Sequence, residues 1–118
     1  MLTGALLGIL HEAAQAVLTL TDDLPTERLA TLRLTRDEVV RQLLVIADTS
    51  LNLPPTTRDA LASIDWQAWP VVASMLRSAD PAARREALDF ALRSLVPALI
   101  LGLALYRKTR PELFRLIP

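Results

Sequence analysis

Apolar side chains recur three and four positions apart along most of this 118-residue chain. That spacing places them on one face of an α-helix, whereas a half-buried strand would alternate apolar and polar residues. In the first segment, for example, Leu6, Ile9, Ala13 and Ala16 follow the helical spacing. The chain is rich in leucine and alanine and has only three glycines, which also favours helices over strands. The sequence therefore predicts an all-α protein, and its length predicts one domain, 1–118.

Capping residues and prolines divide this pattern into segments. The first segment ends near Leu20, where an acidic stretch follows, and Asp23 is expected to cap a short turn that starts at Pro25. The next long helix is expected to begin at Thr35, because Glu38 three residues later completes the spacing of a capping box.

Three further segments follow. A short helix is expected from Pro55 to about Ser63, Asp65 is expected to cap a third long helix, and a fourth should run from Asp80 to about Arg107. Pro97 should bend this last helix, because proline removes the backbone hydrogen bond to residue 93. The sequence thus predicts an up-and-down four-helix bundle with a short extra helix between the second and third long ones.

The residues exclude several kinds of chemical site. The chain has no cysteine, which excludes disulfides, thiolate zinc sites and cysteine nucleophiles. The single histidine, His11, has no second imidazole for a metal site, and beside Glu12 and Gln15 we assign it a structural role. Gly4 and Gly8 lie within a helix rather than in a phosphate-binding loop, so we expect them to let a neighbouring helix approach closely. We therefore expect no metal and no cofactor.

Membrane and nucleic-acid signals are weak in this sequence. The first twenty residues are apolar but lack the basic start of a signal peptide. The longest uncharged run, Ser94 to Tyr106, is shorter than the roughly 20 residues that cross a bilayer and is expected to form a buried helix. Because the formal net charge is zero, no overall field attracts nucleic acid. These features predict a cytoplasmic protein with no membrane partner.

Three stretches form an ordered pattern along the chain. The first runs from Leu34 to Leu61, LTRDEVVRQLLVIADTSLNLPPTTRDAL, the second from Ser63 to Arg77, and the third from Leu95 to Leu99. In order and spacing they resemble the HepT-like toxins of the HEPN superfamily. That family shows a polar helix start, a helix of the form R-x-L-x-V-I-G-E-A, a break with proline, then I-P-W-R-D-I … G-M-R and D-L-P-x-L. The resemblance implies a HEPN-like helical bundle that forms a homodimer.

The resemblance also implies where activity would lie. The family's motif, Arg-x(4–6)-His-x-Tyr, follows G-M-R and faces its copy across the dimer. Its arginine and histidine promote metal-independent RNA cleavage, and its tyrosine is modified by a nucleotidyltransferase antitoxin. Here Arg77 matches the arginine, but residues 78–85 contain neither histidine nor tyrosine, and Ala47-Asp48 stands where the family has G-E. Arginine cannot act as a general base, because its pKa lies above about 12.

The missing motif predicts a catalytically inactive HepT-like protein that acts by forming a homodimer and binding a protein partner. A nucleotidyltransferase antitoxin is the partner that the resemblance implies, and RNA binding is not required. Two alternatives stay open. One is an active metal-independent ribonuclease toxin with a rearranged arginine site, and the other is a plain helical dimerisation module with no toxin–antitoxin connection.

Two groups of residues are the candidate sites. Arg77, a remnant of the catalytic motif, should form an exposed basic patch with Arg84 and Arg85 near the dimer axis, where it could bind RNA phosphates or acidic side chains. Four apolar side chains on one helical face are predicted to lie in the dimer interface: Trp66, Trp69, Val72 and Leu76. The alternative, that the tryptophans belong to the core of one chain, stays open.

Overall fold

The helices follow one another with short connections, in a computed structural model that describes residues 2–115. Their bounds are α1 Leu2–Thr21, α2 Thr26–Thr31, α3 Arg33–Asn52, α4 Pro55–Ala60, α5 Ala68–Leu76, α6 Pro81–Phe90 and α7 Val96–Thr109. A π-helical turn, Ala91–Leu95, joins α6 to α7, and a 3₁₀ turn, Pro111–Phe114, follows α7. No strand occurs in the part of the chain that the structure describes. The all-α prediction is confirmed.

The long helices pack as a bundle. Helix α1 packs against α3, α3 against α5, α5 against α6, and α7 packs against α1. Because α6, the π turn and α7 form one continuous helix, Pro81–Thr109, this helix is about 43 Å long at roughly 1.5 Å per residue and matches the longest dimension, 44 Å. The predicted short helix before α5 is present as α4, which ends at Ala60 rather than near Ser63. Helix α2 is a second short helix, where the sequence predicted only a turn.

The core lies between these long helices. Its fully buried side chains come from every long helix and include Leu7, Leu10, Leu43, Ile46, Trp69 and Leu99. On α1 the buried face is shifted from the predicted one, with Leu6 and Ala13 buried as predicted. Ile9 is 42% exposed, whereas Leu7 and Ala14 are fully buried. The α1 sequence contains two overlapping apolar stripes, and packing against α3 selects the one that includes Leu7.

Two of the predicted helix starts are wrong. Asp23 does not cap α2; it adopts a positive φ of 55° in the preceding turn, and Pro25 occupies the capping position without a side-chain hydrogen bond. Helix α3 begins at Arg33 rather than Thr35. Glu38 does not fold back to cap this helix, because its carboxylate is held by side chains of the next turn. Both groups of the Glu38–Arg41 pair are charged, whereas a capping contact would join the carboxylate to an uncharged backbone amide.

Two other helix starts are as predicted, and a third is shifted. The Asp80 carboxylate accepts a hydrogen bond from the Ala82 amide at 3.0 Å, at the start of α6. The Asp65 carboxylate accepts one from the Ala68 amide at 3.2 Å, but α5 begins only at Ala68, with Gln67 at the capping position. Pro55 is the first residue of α4, where its missing N–H costs no helical hydrogen bond.

Pro97 lies two residues after the end of the π turn. The amide of Val96 donates to the carbonyl of Ala91, five residues back, so this turn is wider than an α-helical one. In an α-helical turn the proline ring would collide with the carbonyl of residue 93, and proline has no N–H to donate to that carbonyl. A wider turn separates the ring from this carbonyl. The sequence predicted a bend here, and the structure accommodates the proline by widening one turn.

The glycines of α1 differ in their surroundings. A Cβ atom on Gly4 would collide with the carbonyl oxygen of Arg115, so this glycine lets the C-terminal segment lie against α1. Nothing lies within 4 Å of a Cβ built on Gly8. The predicted close approach therefore holds at Gly4, with a chain segment rather than a helix as the neighbour, and is wrong at Gly8.

This difference predicts opposite effects of two alanine substitutions. Gly8→Ala should raise the free energy of unfolding by about 0.5–1 kcal/mol, because alanine favours the helix and meets no neighbour. Gly4→Ala should lower it by about 1–3 kcal/mol, because the C-terminal backbone has to move. Urea denaturation of the two variants measures both. A stabilised Gly4→Ala would contradict the packing of Arg115 on α1.

Two helices are long and apolar enough to cross a bilayer by length and composition. They are Thr3–Thr21, with a mean hydropathy of 1.2, and Pro81–Thr109, with a mean hydropathy of 1.8. A core helix of a soluble protein passes the same criterion, and each of these helices has part of its surface in the bundle core. The run from Ser94 to Tyr106 is not wholly buried as predicted, since Leu101 and Leu105 are exposed.

Candidate binding groove

An open groove lies between α3 and α6. Both helices pack against α5, and the surface between them, with α2 at its edge, encloses about 1340 Å³. Apolar side chains form its floor: Val40 and Leu44 from α3, Leu76 from α5 and Leu88 from α6. Its volume exceeds the roughly 300–1,000 Å³ that is usual for small-molecule pockets. A groove of this size suits a segment of a macromolecule.

Charged side chains border this floor. Four carboxylates and five arginines line the groove. The arginines are Arg36, Arg41, Arg84, Arg85 and Arg93. Most of these arginines are bound to their own helix or to a neighbouring carbonyl. Arg93 contacts Asp89 at 2.8 Å, and Arg36 donates to the carbonyl of Ala30 at 2.8 Å. Exposed ion pairs contribute little to stability, so an approaching partner can replace them at small cost.

Glu38 has the strongest polar contacts on α3. Its carboxylate accepts hydrogen bonds from Arg41 at 2.7 and 2.8 Å and from Gln42 at 2.9 Å. These hydrogen bonds, first of all those from Arg41, lower the pKa of Glu38 from 4.5 to about 2. Arg41 is thereby fixed on the α3 side of the groove.

The Glu38 contact predicts a pH effect of definite sign. A carboxylate with a lowered pKa stabilises the folded state above its unfolded pKa, near 4.5, and this contribution is lost as the pH falls towards 2. In wild type, the Glu38 carboxyl should titrate near pH 2 by NMR. In Arg41→Ala its pKa should return towards 4.5, whereas Arg58→Ala, a change on α4, should leave it unaltered. A wild-type pKa near 4.5 would show that the contact does not form in solution.

Two of the three predicted basic residues line the groove. Arg84 and Arg85 are exposed on the first turns of α6. Arg84 donates to the carbonyl of Ser78 at 2.8 Å and so holds the loop before α6. Arg85 is exposed at the groove edge. Both are available to a ligand that enters between α3 and α6.

Arg77 has a different position. Its guanidinium donates to the carboxylate of Asp48 on α3, with 3.1 Å between Nη2 and Oδ2. It does not belong to the groove lining that the structure describes. The Arg77–Asp48 pair therefore ties the end of α5 to α3.

The histidine and the tyrosine of the chain lie on other helices. His11 is half-buried on α1. The hydroxyl of Tyr106 on α7 donates to Oγ of Ser63 at 2.8 Å and accepts from the Ser63 amide at 3.2 Å. Neither side chain belongs to the groove lining. Among residues 2–115, no group of three or more histidines and carboxylates is placed to hold a metal ion.

The predicted dimer face is buried within one chain. Its four residues are at most 9% exposed: Trp66, Trp69, Val72 and Leu76. The indole N–H of Trp66 donates to the carbonyl of Leu61 at 3.0 Å, so this polar group is also satisfied internally. The face therefore forms part of the core of the single chain, and only a small fraction of it could contact a second copy.

The groove itself was not predicted from the sequence. The signal that could have indicated it is the breadth of the apolar face of α3, where Val40 and Leu44 lie beside the fully buried Val39 and Leu43. Such a face can pack against two neighbours or against one neighbour and a ligand. In comparisons with known proteins, no family model matches the chain, and neither the curated proteins nor the solved structures include a match.

Proposed function

We propose that the protein is a catalytically inactive HepT-like protein that binds a helical segment of a protein partner in the groove between α3 and α6. The observation that carries the binding part is the groove, with its apolar floor and charged border. The family part, with its up-and-down HEPN-like topology, rests on the ordered sequence pattern and is compatible with the helical bundle.

The shape of the groove favours a helix as the occupant. A helix with side chains is about 10–12 Å across, and helices recognise such grooves through apolar residues at i, i+3, i+4 and i+7. An apolar stripe of this kind would cover Val40 and Leu44 on one side and Leu88 on the other. Its polar flanks would meet the arginines and carboxylates of the border. The resemblance implies a nucleotidyltransferase antitoxin as the partner.

The proposal includes a homodimer. The burial of Trp66 and Trp69 limits which surface of the chain can form the dimer interface. Because these side chains lie in the core, a second copy has to use another surface. The ribonuclease alternative is weaker, since Arg77 is paired with Asp48 and the described groove lining contains neither histidine nor tyrosine.

The purified protein is expected not to cleave RNA. General acid–base help contributes typically about 10²–10⁴ in rate, and His11 on α1 does not stand where the family motif has its histidine. Single-stranded RNA incubated with the protein in a chelator should remain as intact as RNA in buffer. Cleavage that disappears in Arg77→Ala would overturn the proposal and favour the ribonuclease.

Co-purification from the native host tests the binding site. Tagged wild type should retain a specific protein, and Leu44→Asp should lose it. Burial of the new carboxylate under a bound helix costs free energy, because no apolar side chain of that helix can pair with the charge. The matched control is Leu34→Asp, also on α3 but outside the groove and already 80% exposed. Circular dichroism establishes that both variants fold. Equal recovery with Leu44→Asp, or recovery of RNA alone, would contradict the proposal.

A further inference from the structure

One side of α7 presents apolar side chains to solvent. Leu101 is 72% exposed and Leu105 is 54% exposed. Ala98 and Ala104 are also exposed, and spacings of three and four residues place them near these leucines on the helix surface. We call these four residues the outer face of α7. No charged residue occurs between Ser94 and Tyr106, so the outer face is uninterrupted over this length.

Basic residues follow directly at the end of this face. The described C-terminal segment carries four cations: Arg107, Lys108, Arg110 and Arg115. We call them the basic cluster. Its acidic neighbour, Glu112, is bound to Arg110 at 2.8 Å, and the guanidinium of Arg107 lies 5.4 Å from the ring centre of Phe114. The cluster therefore keeps an excess of positive charge next to an apolar surface.

We propose that the outer face of α7 and the basic cluster dock on an anionic lipid surface, with the helix lying in the plane of the interface. Apolar residues on one side of a helix and cations beside them are the combination that binds such surfaces. The helix does not need to leave the bundle, because its opposite side, with Val96, Leu99 and Leu103, stays buried. This inference differs from the sequence prediction of no membrane partner, because the uncharged run is exposed on one side.

A second copy of the chain fits the outer face less well than lipid does. The described acidic residues nearest in sequence to the face are Asp89 and Glu112, and these already pair with Arg93 and Arg110. A parallel pair of α7 helices would bring two basic clusters together. An antiparallel pair would bring each cluster towards the start of the partner's helix, where Arg93 lies beside Asp89 and adds a further cation. Anionic headgroups supply the negative charge that a second copy lacks.

Vesicle sedimentation tests the proposal. The full chain should partition onto vesicles of phosphatidylcholine mixed with phosphatidylserine, should not partition onto phosphatidylcholine alone, and should dissociate as salt is raised. Leu101→Ser combined with Leu105→Ser should lower the partition coefficient at least about tenfold, because less apolar area leaves water. The matched control replaces Leu34 and Leu51, which are exposed on α3, with serine and should bind like wild type.

Three results would overturn the proposal. They are equal partition onto both kinds of vesicle, no partition onto either, and a dimer that dissociates in the Leu101 and Leu105 variant while no vesicle binding occurs. The last result would assign the outer face to a second copy. None of these substitutions touches the groove lining, so failure here is distinguishable from failure of the proposed partner binding.

Discussion

Replacing Trp69 with alanine is expected to lower the free energy of unfolding by about 3–5 kcal/mol. Trp69 is 1% exposed and lies on α5, which packs against both α3 and α6. Removal of its ring leaves a cavity that two helices would have to close together. Urea denaturation followed by circular dichroism measures the loss.

The control for Trp69 lies on the same helix. Val71 is 60% exposed, so Val71→Ala should change the free energy of unfolding by less than about 0.5 kcal/mol. Light scattering on the same samples separates the two interpretations of the tryptophans. A Trp69→Ala variant of unchanged stability that no longer forms a dimer would assign this side chain to an interface instead of the core.

Reversing the charge of Arg84 and Arg85 together is expected to weaken binding of the groove partner by about 10²–10⁴-fold. Hydrogen bonds to charged groups contribute about 1.5–3 kcal/mol each, and both arginines line the groove at the start of α6. Calorimetric titration of the partner into wild type and into Arg84→Glu/Arg85→Glu measures the change. Arg85→Glu alone should give part of it without disturbing the hydrogen bond from Arg84 to Ser78.

The control for the Arg84 and Arg85 variant is a second double charge reversal at a different place on the surface. Arg107→Glu/Lys108→Glu changes two cations on α7, outside the groove lining, and should leave the partner's affinity unaltered. If both double variants bind the partner like wild type, Arg84 and Arg85 are only solvated surface.

The helix starts show which parts of the fold follow from the sequence. At Asp80 the capping residue and the following proline have no competing partner, and the prediction is confirmed. At Thr35 it is wrong, because Glu38 had a second partner, Arg41, within one turn. A local motif predicts structure when its side chains have only one available contact.

Packing decides what periodicity leaves open. The spacing correctly groups Trp66, which lies just before α5, with Trp69 on α5 as buried residues. It cannot distinguish the core of one chain from an interface, since both are apolar. On α1 the same ambiguity left Leu6 buried as predicted but exposed Ile9 and buried Leu7. The groove was not predictable for a related reason. It lies between α3 and α6, which are brought to either side of α5 only by the tertiary fold.

The most direct test of the groove as a protein-binding site is site-specific photo-crosslinking. A photo-crosslinking amino acid at position 40, on the groove floor, is compared with the same amino acid at position 34, outside the groove on α3. We predict that a protein partner from the native host is captured at position 40 and not at position 34. Capture at position 34 alone, or capture of RNA but no protein at position 40, would contradict the proposal.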